Sequence, residues 1–213
     1  MSATTCADDR LSSDLNPVEF LNLGLCEYQE TMDQMRTWTN GRDDNTPDQI
    51  WFLEHPPVYT QGVSCTEIPR LDGIPLVKSD RGGQITYHGP GQLIAYFMID
   101  LKRRKMGVRQ LVRVLEAATM RLLSDIGLEA TTRAGAPGVY LRDQKIAALG
   151  LRVRSGRSYH GLSLNVAMDL EPFQWINPCG YTNLQVTSIE REGISLSVDE
   201  ARQALMRCLA ALL

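Results

Sequence analysis

Paired cysteines, clustered histidines, long apolar runs and a basic excess are all missing from this chain. Its five cysteines, at 6, 26, 65, 179 and 208, are odd in number, widely spaced and without a Cys-x-x-Cys pair. Such a set suggests neither a zinc site nor a disulfide framework. The three histidines, 55, 88 and 160, have no ligand spacing, so no metal is expected. No apolar run is long enough to cross a bilayer, and no membrane contact is expected. A net charge of -3 argues against a broad basic face that would hold nucleic acid. Neither a Walker loop nor Gly-x-Gly-x-x-Gly is present. The start, "MSATTCADDRLSSD", lacks the basic head and apolar middle of a secretory signal. Residues 1–16 are therefore expected to be a flexible tail and the protein cytoplasmic.

What is present describes a globular domain. Hydrophobic residues make up 43% and charged residues 22% of the 213, enough to bury one core over 17–213. Strands are expected at 18–26, 49–55, 74–80 and 92–100, and a helix at 27–40. Pro56 and Pro57 close the second strand. The clearest helix is 108–125, where Leu111, Val114, Leu115, Ala118 and Leu122 share a stripe and Gly127 ends the run. "GVYL" (138–141), "KIAALGLRVR" (145–154) and "YHGLSLNV" (159–166), joined by short turns, read as an antiparallel meander. A last helix begins at Ser197, with Glu200 at capping-box spacing. Strands and helices do not alternate regularly, which predicts an α+β fold with a largely antiparallel sheet flanked by helices.

Candidate chemistry is concentrated in three places. In "INPCGY", Cys179 stands between Pro178 and Gly180, which would present its side chain well but also suit an ordinary turn. On the strand 145–154, period two places Lys145 with Ala147, Leu149, Leu151 and Val153, away from Arg152 and Arg154. A lysine facing an apolar interior is costly unless paired or neutral; snorkelling to water, or a bulge that turns it out, would remove the cost. "SDRGGQITYHGPGQ" (79–92) could bring backbone N–H groups close to a ligand, or be two tight turns flanking a short strand. His160 shares parity with Leu162, Leu164 and Val166 and reads as a core histidine. "DLKRRKMGVR" (100–109) is a basic cluster that could dock an acidic partner or be a solvated loop.

Taken in order, "SDRGGQITYHGPGQ", "APGVY", "KIAALGLRV", "HGLSLNV" and "INPCGY" resemble the octanoyltransferases of lipoate synthesis, over about residues 20–190. The resemblance implies a fold shared with the biotin and lipoate protein ligases. It implies Cys179 as the nucleophile that carries an acyl thioester and Lys145 as the residue that tunes it. It implies a substrate pocket at Arg81, Gly82, Gly83, Gln84, Ile85, Thr86, Tyr87 and His88, at Ala148, Leu149 and Gly150, and at Gly161, Leu162 and Ser163. The implied donor is octanoyl-acyl carrier protein. The implied acceptors are lipoyl domains of 2-oxoacid dehydrogenase complexes and the glycine cleavage H protein. Since a thioester is already activated, no ATP, metal or other cofactor is expected, and a monomer would suffice. Leu149, Leu162 and Tyr87 could line an apolar slot for the chain, and His88 could donate to an oxyanion.

Three other readings compete. A lipoate or biotin ligase would share the fold but form an acyl-adenylate from ATP. A binding module would leave Cys179 an inert turn residue and Lys145 a surface lysine. A cysteine hydrolase would need a histidine beside Cys179, and spacing alone pairs none with it.

Overall fold

The structure is a computed structural model that describes residues 17–65, 71–176 and 185–213. The expected tail and Cys179 lie outside these residues. Among the described residues, nine strands and three α-helices follow in the order β1 (Glu19–Leu25), α1 (Tyr28–Gly41), β2 (Gln49–Glu54), β3 (Val58–Gln61), β4 (Leu76–Lys78), β5 (Ile85–His88), β6 (Gln92–Met98), α2 (Val108–Asp125), β7 (Gly138–Leu141), β8 (Gln144–Arg154), β9 (Arg157–Asn165) and α3 (Val198–Ala210). The fold is α+β. A six-stranded sheet runs β1-β2-β6-β9-β8-β7 and a three-stranded sheet runs β4-β3-β5. In the larger sheet only β1 and β2 pair in parallel.

Strand β6 lies at the centre of the packing, and all seven of its residues are buried. Alternation sends Leu93, Ala95 and Phe97 to one face of the sheet and Ile94, Tyr96 and Met98 to the other. Helices α2 and α3 cover the first face through Leu111, Leu115, Ala118, Leu122, Leu205 and Leu209. Helix α1 covers the second through Tyr28, Met32 and Met35. Each fully buried aliphatic side chain contributes about 1.5–3 kcal/mol before its entropy cost.

Local signals place the helix ends. After α2, Gly127 adopts φ +82°. Its N–H bonds to the Ser124 carbonyl while Leu128 N–H reaches Leu123 O, a Schellman motif. At α3, Ser197 Oγ accepts from Glu200 N–H and Glu200 Oε2 accepts from Ser197 N–H, completing the capping box. Strand β3 is not foreshadowed in the sequence. The prolines end β2 as expected, but the chain resumes at once as a second strand that pairs with β4 and β5.

Two members of the basic cluster, Arg103 and Arg104, have a structural use. Asp48 is fully buried. Its Oδ1 accepts from Arg42, from Arg103 Nη2 at 2.7 Å and from Asp100 N–H at 2.8 Å, and its Oδ2 accepts from Arg104. Arg104 also donates to Leu213 O and Arg42 to Met98 O, both at 2.7 Å. Burial pushes the Asp48 carboxyl up, but the bonds from Arg104 and Arg42 outweigh it and hold the group below the usual carboxylate value. Arg103 and Arg104 are therefore structural residues. Removing one member of a buried ion network strands the others, at roughly 3–5 kcal/mol. Asp48→Ala should lower the unfolding free energy measured by urea titration by an amount of that order, and the midpoint with it. A midpoint equal to wild type would show that the three guanidinium groups find solvent without it.

Candidate active site

A cavity of about 460 Å³ opens between the 81–88 segment and the face of the larger sheet formed by β6, β8 and β9. Arg81, Gly82, Gly83, Gln84, Ile85, Thr86 and His88 line one side. Lys145, Ala148, Leu149, Gly150, Gly161, Leu162 and Ser163 line the other. Residues far apart in sequence thus share one cavity. The sequence reading passed over Tyr28, Ile94, Tyr96, Asn165 and Phe173, which also line it; each looks like an ordinary core or turn residue in isolation.

Tyr87 is a correction. It lies in a separate cluster, edge-on to Phe173 with ring centroids 5.5 Å apart and 5.6 Å from the Tyr59 ring. It does not line the cavity. The 81–88 segment ends in a strand, so its side chains cannot all face one way.

Lys145 also departs from the period-two reading. Tyr140 pairs with Lys145 and Val139 with Ala147, so Ile146 is the extra residue of a β-bulge. The bulge puts Lys145 out of phase with Ala147, Leu149 and Leu151, which pack into the core under α2. The lysine is 4% exposed. Its Nζ donates to Pro137 O at 3.4 Å and stands 5.2 Å from the Tyr140 ring centroid, within cation–π range. Gly138, at φ +145°, makes room for it: a Cβ there would lie 3.1 Å from Lys145 Cε and 2.7 Å from Ala147 O.

The Lys145 backbone is held by residues 185–187, through an isolated parallel bridge to Val186. Lys145 N–H donates to Gln185 O at 2.9 Å, and Thr187 N–H donates to Lys145 O at 3.0 Å. Gln185 follows Cys179 by six positions in the sequence. Thr187 O in turn accepts from Asn165 Nδ2, and Asn165 Oδ1 accepts from Gln92 Nε2, each at 2.9 Å. Gln92 Oε1 lies 2.7 Å from His88 Nδ1. An amide oxygen only accepts, so His88 Nδ1 carries the proton and Nε2 faces Thr60 Oγ1 at 3.3 Å. Both His88 nitrogens are engaged, which removes His88 as an oxyanion donor.

His160 breaks the parity expected of it. A φ of +60° lets it follow Tyr159 onto the cavity side, and both residues bond to Asp80, Nε2 at 2.8 Å and the phenol at 2.6 Å. Burial pushes the Asp80 carboxyl up, but the bonds from His160 and Tyr159 hold it far below the usual value. Burial lowers His160 more than Asp80 raises it. Cys26 and Cys208, the thiols read as packing residues, are both pushed up by burial, away from the thiolate form.

The fold is that of the lipoate and biotin ligases. A Thermoplasma acidophilum lipoate protein ligase superposes with TM-score 0.75 at 18% identity, over 92% of this chain and 84% of its own. A lipoate-protein ligase A bound with ATP gives TM-score 0.71 at 19% identity, over 93% and 85%. The chain belongs to the lipoyl protein ligase A/B catalytic-domain family, whose model matches residues 27–210. The octanoyltransferase of Aromatoleum aromaticum is 53% identical over 193 residues, 90% of this chain and 84% of that protein. That of Chromobacterium violaceum is 50% identical over 187 residues, 87% and 90%. Likeness of that extent makes this chain a transferase enzyme.

Two outcomes follow. Gly138→Ala should displace the Lys145 side chain and cut turnover at least tenfold; unchanged turnover would show that Lys145 tolerates the shift. The second concerns pH. His55 Nδ1 donates to Cys26 O at 2.6 Å and Nε2 accepts from Tyr96 at 2.7 Å, so the ring is neutral. Burial pushes its pKa down to about 4, against a smaller opposing effect of the Cys26 carbonyl. The unfolded chain protonates near 6.5, so between about 6.5 and 4 the unfolded state binds the extra proton. Stability from this group is complete above that window and is lost as pH falls through it, on the order of 3 kcal/mol in all. Burial of His88 and His160 acts in the same direction. Urea midpoints should fall from pH 7.5 to pH 5; a constant midpoint would contradict the neutral assignment of His55.

Proposed function

We propose that the protein moves an octanoyl group from acyl carrier protein to the amine of a specific lysine on lipoyl domains, through a thioester on Cys179. The acceptors are lipoyl domains of 2-oxoacid dehydrogenase complexes and the glycine cleavage H protein, and the enzyme works in the cytoplasm as a monomer. One observation carries the reading. A buried lysine opens onto a cavity with apolar stretches, and its backbone is bonded to the segment that follows Cys179 by six positions. The octanoyltransferase relatives near 50% identity supply the substrate class.

In this reading the Cys179 thiolate attacks the carrier thioester carbonyl. The C–S bond to the carrier breaks, the carrier leaves as a thiol after taking a proton, and octanoyl-Cys179 remains. The acceptor amine then attacks that carbonyl and expels Cys179, forming an amide. Lys145 favours the thiolate as an ammonium or takes its proton as an amine. Each tetrahedral oxyanion needs fixed donors, which backbone N–H groups of the glycine-rich segment can supply. The donor acyl group is already activated, so neither ATP nor a metal takes part. The remaining lining residues of the 81–88, 148–150 and 161–163 segments hold the chain.

The fold of the ATP-bound ligase favours a second reading, transfer through an acyl-adenylate. Intact mass spectrometry separates the two. After mixing with octanoyl-acyl carrier protein and no ATP, wild type should gain one octanoyl group, removable by hydroxylamine, and Cys179→Ala should gain none. Transfer to a lipoyl domain that appears only with ATP, with no adduct on either protein, would overturn the thioester route.

A further inference from the structure

The cavity changes character along its length. Cross-strand register lays its floor in rows: Ala148, Ser163 and Ile94 in one, Gly150, Gly161 and Tyr96 in the next. Around the first row the apolar side chains of Ile94 and Phe173 line it, while the side chains of Leu149 and Leu162 turn to the α2 side of the sheet. At the second row a wall begins. A Cβ at Gly150 would lie 3.2 Å from Arg81 Cδ and 3.2 Å from Gly82 O. The Arg81 stem and the loop therefore rest on bare backbone, and Gly82 N–H ties the loop to Leu151 O at 3.0 Å. Arg81 cannot swing aside freely, because Nη2 donates to Thr60 O at 2.6 Å and to Thr60 Oγ1 at 2.9 Å, while Nη1 donates to Gly82 O at 3.0 Å. At the same end stand Tyr96, bonded to His55, and His160, bonded to Asp80, both almost wholly buried. A methylene pushed to this end would meet polar groups already committed to one another.

We infer that Gly150, with the Arg81 side chain lying on it, sets the acyl length this enzyme accepts. The inference rests on the acyl-transfer reading above. Lys145 and Gly150 are five positions apart with one bulge residue between them, so the floor between their rows spans about 13–17 Å. The seven C–C bonds of an extended octanoyl chain, each about 1.5 Å, cover about 9 Å along the chain. Roughly 4 Å or more then remains for the reacting groups at the Lys145 end. A twelve-carbon chain, at about 14 Å, would leave almost none.

The test is a length series with the full-length enzyme and a lipoyl-domain acceptor. Carrier-bound acyl groups of six, eight, ten and twelve carbons would be compared for wild type and Gly150→Ala. Wild type should peak at eight carbons and fall at least tenfold by twelve. Gly150→Ala brings the wall forward and should move the peak to six carbons, with each surplus methylene costing about fourfold in kcat/KM. Ala148→Val, one row nearer Lys145, should shorten the preference in the same sense and serves if Gly150→Ala does not fold. Equal rates with eight and twelve carbons in wild type, or variants that slow every length alike, would overturn the inference. Transfer from no carrier of any length without ATP would instead sink the reading beneath it.

Discussion

Asn165 holds the two halves of the site together. One side of its amide reaches Gln92, and through it His88 beneath the glycine-rich segment; the other reaches the Thr187 carbonyl, and so the 185–187 segment that grips Lys145. His88, Gln92, Asn165 and the Thr187 carbonyl form one connected chain of buried hydrogen bonds. In a low-dielectric interior such a chain is strong when complete and costly when broken. The lysine is therefore not placed by its own rotamer alone. It is placed by a backbone whose position is fixed at both edges, by β7 on one side and by the 185–187 segment on the other.

The two helical layers and the ion network around Asp48 serve that placement at a distance. Strand β6 separates two packed layers, and the Asp48 cluster locks the end of α1 to the loop that leads into α2. At the far end of the cavity Arg81 is held by Thr60, His160 Nε2 by Asp80 and Tyr96 by His55. A cavity framed in this way is apolar where it needs to hold a chain and rigid where it needs to stop one.

Much of this was legible in the sequence, and the exceptions have physical causes. The bounds of α2 and the start of α3 could be read because leucine spacing, Gly127 and the Ser197–Glu200 pair are local signals whose meaning does not depend on the rest of the chain. The members of the cavity could be named from motif resemblance, but their facing could not. A period-two count cannot see the extra residue at Ile146, and so put Lys145 on the core face. It cannot see the left-handed backbone at His160 either, which carries that ring across to Asp80. Tyr87 was assigned to the cavity because the resemblance carries the whole 81–88 stretch over at once, without regard to facing. Arg103 and Arg104 looked like surface charge because their partner, Asp48, lies more than fifty residues earlier in the chain. Each error concerns a non-local contact or a departure from regular strand geometry, which sequence periodicity does not carry.

The complete burial of β6 has a consequence for how the protein breathes. Its amides lie between two strands and beneath two packed layers, so no local fraying exposes them. Hydrogen exchange in residues 92–98 then proceeds only when the whole domain opens. The peptide covering that strand is a built-in gauge of global stability, separate from the smaller fluctuations that a substrate must use to enter the cavity.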